Sequence, residues 1–229
     1  MTLLAHAIAA APPASISHEG LRGRRLSWSE AGGLGLWSTD WAPDIKLERP
    51  DALAHHRLVE RICAAQPCLP VRFGTAFATS DDARASLDKR AAALHAALTR
   101  VAGKSELALT LLWANLGGSA PHPPTMPEAD GPGRTYMEAR RAEFAAREAR
   151  RARAESLVEQ VTADLAIERQ LVRHETGTSE NVAVSLAILV PTEQALERKS
   201  ELARIAARFT DVVPVVNGPW PPYTFARVE

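Results

Sequence analysis

Gly177-Thr-Ser-Glu-Asn-Val182-Ala-Val-Ser-Leu-Ala-Ile-Leu-Val190 decides how the second half of this chain folds. Its first five residues carry turn chemistry. Val182, Val184, Leu186, Ile188 and Val190 then alternate without a break, which is the period-two pattern of a strand. Upstream, Arg169 to His174 reads as the strand that the turn folds back onto it. Downstream, a helix is expected from Thr192 to Phe209. Val212 to Val216 forms a last strand, and its Pro214 cannot donate to a ladder and so favours an edge. Further out, Leu107, Leu109 and Leu111 alternate up to Trp113 as another strand. Arg134 to about Ala166 is rich in Ala, Arg and Glu, with opposite charges four apart at Glu143/Arg147 and Arg151/Glu155, and reads as a long exposed helix. Its apolar seam lies at Leu157, Val158, Val161 and Leu165, so its first turns should project or meet a partner. The order is βαββαβ, the split-βαβ arrangement of a ferredoxin-like domain, here over 105–229. Residues 117–133 hold Pro121, Pro123, Pro124, Pro127 and Pro132 among small residues. Ordering them has no obvious apolar return, so a linker or mobile loop is expected there.

The first half predicts a second unit of mixed type. Leu3 to Ala10 reads as a strand, and Leu26-Ser-Trp28 and Leu34-Gly-Leu-Trp37 flank Gly32-Gly33 as a hairpin. Leu53, Leu58, Val59 and Ile62 share one helical face from Asp51 to about Ala65, where Pro67 and Pro70 stop the helix. A short strand, Val71 to Ala78, follows. Ser80 is the expected N-cap of a helix striped by Ala83, Leu87, Ala91, Leu94, Leu98 and Val101, which Gly103 ends. The fold class is therefore α+β in two domains: a small mixed sheet domain over 1–104 and the ferredoxin-like domain over 105–229. No repeat at solenoid periods is present.

Composition limits the function classes. Apolar residues make up 46% and charged residues 24% of the chain, which places it with globular proteins rather than disordered ones. Basic and acidic residues number 27 each, so no net field draws the molecule to nucleic acid or to an anionic membrane. No segment reaches the roughly 18 to 20 continuous apolar residues of a membrane span. The apolar start at Met1 lacks a positive n-region and is broken by His6, so a strand is expected there rather than a signal peptide. Cys63 and Cys68 have no further cysteine to complete a metal site or a disulfide framework, and read as reduced thiols of a cytosolic protein.

Candidate chemistry is sparse. His56 and Glu60 lie four apart on one helical face beside His55, a spacing that could supply two metal ligands, but no third ligand lies nearby and a structural role outweighs it. No Gly-x-Ser-x-Gly or HExxH occurs. Gly32-Gly33-Leu-Gly35 leads into a strand rather than a helix N-terminus, so a hairpin turn is the better reading than a phosphate cradle. The arginines from Arg140 to Arg153 alternate with Glu138, Glu143, Glu148 and Glu155, as a salt-bridged solvated face does. The C-terminal Gly218-Pro-Trp-Pro-Pro-Tyr-Thr-Phe225 differs. It concentrates three aromatics among three prolines in a chain where aromatics are only 5%. Trp220, Tyr223 and Phe225 either lid a core or form an aromatic anchor for another protein.

Three stretches together resemble the gas vesicle F/L (GvpF/GvpL) family. They are His55-His56-Arg with Leu69-Pro-Val-Arg-Phe-Gly-Thr75, Gly133-Arg-Thr-Tyr136, and the terminal Gly-Pro-Trp-Pro-Pro-Tyr-Thr-Phe. Gly103-Lys-Ser-Glu106 falls in order between them, and the first fifty residues carry little of the likeness. The resemblance implies a cytoplasmic, gas-vesicle-associated protein of buoyant prokaryotes, with no catalysis and no cofactor. It implies a role in vesicle organisation, at nucleation or as a minor wall component. The implied partners are the small hydrophobic shell protein and other accessory proteins. Such a shell subunit needs its apolar surface covered before assembly. Within the motif, Arg72 is flanked by Val71 and Phe73 and is expected in a strand as a buried or interdomain ion-pair residue. A reading from another class is a small-molecule binder or enzyme built on an α+β cleft, since such folds host many functions.

Overall fold

The computed structural model describes residues 2–12, 18–42, 46–114 and 132–227. By its internal contacts the chain forms two compact units. One comprises Met1–Glu106, Leu189–Glu193 and Pro219–Glu229; the other comprises Leu107–Ile188 and Gln194–Gly218. The C-terminal segment thus belongs with the N-terminal residues, and not with the residues that precede it in sequence.

In the first unit, β1 (Thr2–Ala9), β2 (Leu26–Ala31) and β3 (Leu34–Trp41) form an antiparallel sheet in the order β2-β3-β1. The apolar start is a strand, as its residues dictate, and Leu3 to Ala9 are all buried, so both faces of β1 are covered. Gly32 and Gly33 close the hairpin with φ of 61° and 70°, a region that a side chain rarely adopts, and Ala31 pairs with Leu34 across them. The β1/β3 register slips between Ala5 and Ala7, so His6 is the extra residue of a bulge. Helix α1 (Arg49–Ala65) buries Leu58 and Ile62 against Ala7, Ala9, Leu26 and Trp37. Its first turn is held by Asp51, whose carboxylate accepts the Glu48 N–H at 2.8 Å and the Arg22 Nε–H and Nη2–H at 2.7 and 2.6 Å. Those Arg22 bonds hold the Asp51 pKa below its ordinary value.

The expected strand over Val71–Ala78 is two short pieces, β4 (Leu69–Pro70) and β5 (Ala76–Phe77), both paired with β1. A turn separates them. The Thr75 N–H donates to the Arg72 carbonyl at 3.1 Å, and Gly74 sits at φ 85°. Pro70 and Gly74 bracket this break, which the apolar pattern alone could not reveal. Helix α2 (Ser80–Val101) buries the predicted stripe at Ala83, Leu87, Leu94, Leu98 and Val101. Its N-cap is Thr79, one residue before the expected Ser80: the Thr79 hydroxyl oxygen accepts the Asp82 N–H at 3.1 Å.

The second sheet contains β6 (Lys104–Trp113), β7 (Val172–Ser179), β8 (Val182–Pro191) and β9 (Val212–Trp220) in the order β7-β8-β6-β9. With α3 (Pro132–Asp164) and α4 (Ala195–Ala206), the element order is β6-α3-β7-β8-α4-β9. β7 and β8 form an antiparallel hairpin as expected, but β7 begins at Val172 after a 3-10 turn over Arg169–Leu171 and runs to Ser179, past the expected Arg169–His174, so that the reversal falls at Glu180–Asn181. β9 lies at an edge, as Pro214 dictates. The α3 seam is buried at Ala154, Leu157, Val158 and Val161, and Leu165, just past the helix end, is buried with it. The Arg153 guanidinium grips Asp211 through two hydrogen bonds of 2.7 and 3.0 Å. The stretch expected as a loop over 117–133 lies outside the described residues up to 131, and α3 opens at Pro132.

Cys63 and Cys68 are joined in a disulfide, which corrects the expectation of free thiols. Helix α1 ends at Ala65, and the chain reverses through Gln66 and Pro67, bringing the two Cα atoms to 5.3 Å. Spacing of five residues along a continuing helix would have kept them apart; the helix end is what allows the bond.

Candidate functional site

The C-terminal segment is built onto α1 and the end of α2 within the first unit. Phe225 is its anchor, 1% exposed and among the largest fully buried side chains. The Arg100 Nη2–H donates to the Phe225 carbonyl at 2.9 Å. The Glu106 carboxylate accepts the Thr224 N–H and the Thr224 hydroxyl, each at 2.7 Å. Burial raises the Glu106 pKa, and these donors oppose that rise by stabilising the charged form. Pro221 and Pro222 are buried as well, and the Ala226 N–H closes back on the Pro222 carbonyl at 2.9 Å. A stiff, proline-rich chain is thus fixed at both its apolar and its polar groups.

With Phe225 held inside, Trp220 and Tyr223 take the other side of the segment, around His56 of α1. The Tyr223 ring stacks on the imidazole, with centroids 6.1 Å apart and planes at 28°. The Trp220 ring meets it edge-on at 6.4 Å and 87°. Glu60, one turn along α1, lies 3.3 Å from His56 Nε2. Burial, and then the charge of Glu60, push the Tyr223 hydroxyl pKa above its ordinary range, so it stays a neutral donor. Trp220 remains 38% exposed, and Leu53, expected on the buried face of α1 with Leu58 and Ile62, lies instead within about 60° of His56 and is 59% exposed. The result is an aromatic and aliphatic patch with one carboxylate at its margin, suited to docking an apolar surface.

The structure separates what the sequence placed side by side. His55 and His56, about 100° apart around α1, face different surroundings. His55 is buried against the His6 ring at 5.1 Å and the Phe73 ring at 5.4 Å. His6 Nε2 shares a 2.7 Å hydrogen bond with the Thr39 hydroxyl. Burial lowers the pKa of His6 to about 3 and of His55 to about 4. The His55/His56/Glu60 grouping is therefore divided between core and surface, and no group of three metal-ligating side chains forms among the described residues. Arg72 stands at the exposed turn, not in a strand, and makes no ion pair among the described residues, so its expected burial is corrected. Phe225, expected beside Trp220 and Tyr223 as a partner anchor, presents no surface to a partner. Sequence reasoning named Glu106 only as part of the Gly103–Glu106 likeness and missed its contact with Thr224, and it missed Arg100 altogether, since no local signal links them to residues more than a hundred positions away.

Among the described residues the fold is of mixed α/β type, with two sheets and four α-helices, and none of these helices is long and apolar enough to cross a membrane. The chain belongs to the gas vesicle synthesis protein GvpL/GvpF family, whose model matches residues 3–227. It is 33% identical over 208 residues to gas vesicle protein L2 of Halobacterium salinarum, covering 81% of this chain and 74% of that protein. Its fold matches the crystal structure of gas vesicle protein GvpF from Microcystis aeruginosa, with a TM-score of 0.77 at 18% identity over 99% of each chain. It also matches GvpF from Anabaena sp. PCC7120, with a TM-score of 0.75 at 18% identity over 100% of this chain and 97% of that one. Family membership gives the protein a gas-vesicle-related role.

Proposed function

We propose that this chain is a non-catalytic assembly and structural accessory protein of the gas vesicle. It binds the hydrophobic shell subunit, or other accessory proteins, during vesicle nucleation in the cytoplasm. The observation that carries this reading is the Trp220 and Tyr223 pair set around His56 on a rigid backing, with Leu53 exposed beside it. A preorganised aromatic surface loses little entropy on binding and can cover apolar area that would otherwise aggregate. In the same reading, 1–104 and 105–229 are the two domains, the tail 219–229 returns to the first, and the strand order β7-β8-β6-β9 is that of a ferredoxin-like domain.

The test is a pull-down of freshly prepared shell subunit by the full chain and by a Trp220→Ala/Tyr223→Ala variant whose fold is checked by circular dichroism. Capture by the wild type and its loss in the folded variant is expected. Capture by neither chain sinks the shell-binding role; equal capture by both moves the contact away from this patch.

A further inference from the structure

The opening of α3 is a second surface that this patch does not use. Residues 136–152 are all exposed, a length of about 25 Å at 1.5 Å per residue, before burial begins at Ala154. Such a helix gains nothing from packing inside its own unit. Yet it carries Tyr136, Met137 and Phe144, exposed by 61%, 52% and 66%, in a chain whose aromatics are otherwise sparse. At 100° per residue, Met137, Arg140, Arg141, Arg147 and Arg151 all fall within about 60° of Phe144. Glu148 is the acidic residue on that face. Four arginines against one glutamate leave it at +3, although the whole chain is neutral. Arg147 reaches Glu143 at 3.4 Å, while Arg140, Arg141 and Arg151 make no ion pair among the described residues.

We infer that this face of α3 docks an acidic, amphipathic helical segment of a partner protein. Met137 and Phe144, seven residues apart, are two successive anchors for an apolar stripe. The arginines around them match carboxylates along the stripe's flanks. Glu148 interrupts the positive surface on this face, and Glu138 and Glu143 flank it on the next, which disfavours a continuous phosphate backbone, so a protein ligand fits better than a nucleic acid. The inference holds whether or not the shell subunit uses the Trp220 patch.

The test uses the full chain and a labelled synthetic peptide with leucines at helical heptad spacing and glutamates on its flanks, followed by fluorescence anisotropy. Controls are the same peptide with lysine for glutamate and a single-stranded oligonucleotide. The acidic peptide should bind the wild type, and both Phe144→Ala and Arg140→Gln/Arg147→Gln should weaken it by about tenfold or more, as loss of interface anchors does. Trp220→Ala should bind it normally. No binding by the wild type, equal binding of the lysine peptide, unchanged binding by the α3 variants, or displacement of the peptide by the oligonucleotide would each overturn the inference. All these substitutions are at exposed positions, and circular dichroism confirms that each variant is folded before it is scored.

Discussion

Glu106 and Thr224, 118 positions apart in sequence, are joined by two hydrogen bonds of 2.7 Å, from the Thr224 N–H and from its hydroxyl to the two oxygens of one buried carboxylate. This pairing holds the C-terminal segment against the first unit, and through it sets where Trp220 and Tyr223 stand. Glu106→Ala leaves a backbone donor without its partner, and is expected to cost about 1–3 kcal/mol. Urea unfolding gives the loss, and limited proteolysis should cut the variant near its C-terminus first. Cleavage no faster than in the wild type would show that the clamp does not hold the segment.

The three aromatics of the C-terminal motif should part company on mutation. Phe225→Ala removes a ring that is 1% exposed, and is expected to cost about 3–5 kcal/mol. Trp220→Ala, at a partly exposed site outside the core, should stay within about 1 kcal/mol while abolishing shell-subunit capture. Thermal unfolding beside the pull-down checks both. A large stability loss in Trp220→Ala would return that ring to the core.

Stability should fall on mild acidification because of His6 and His55. Their pKa values drop from 6.5 in the unfolded chain to about 3 and about 4 in the fold, so between these limits the unfolded chain binds more protons. Their stabilising contribution is therefore fully present above pH 6.5 and is lost as the pH falls toward 4, by up to about 1.4 kcal/mol per pH unit for each histidine. Glu106, with its raised pKa, works in the opposite sense. Urea midpoints at several pH values give the slope, and His55→Gln should reduce it. A slope unchanged in that variant would clear His55 of the effect.

Reduction of Cys63–Cys68 should lower stability by about 2 kcal/mol, the loop-closure value for so short a ring. Cys63→Ser is then expected to unfold at the same temperature with and without reductant, whereas the wild type should not. A wild type indifferent to reductant would mean that the bond contributes nothing to the folded state.

Much of the fold follows from signals that act within a few residues. The alternation of Val182–Val190, the stripe of α2 and the Gly32-Gly33 turn each specify their element because the strand period, the helix period and a positive φ are properties of local backbone. The break at Arg72–Thr75 was less legible, since Val71 and Phe73 have the residue types of a strand while Pro70 and Gly74 interrupt it. The candidate site was legible only as a list of residues: the C-terminal motif named Trp220, Tyr223 and Phe225 without dividing them.

The sequence by itself determined that this chain mixes helices with sheet in both halves, has a long exposed helix and carries the motifs of its family, because these depend on periodicity and composition. Only the tertiary structure decided that Phe225 goes inward while Trp220 and Tyr223 flank His56, that His55 turns to His6, and that Cys63 meets Cys68. Each of those outcomes depends on which surfaces meet. A neighbouring pair such as His55 and His56 differs only in the side of the helix that the rest of the chain happens to cover.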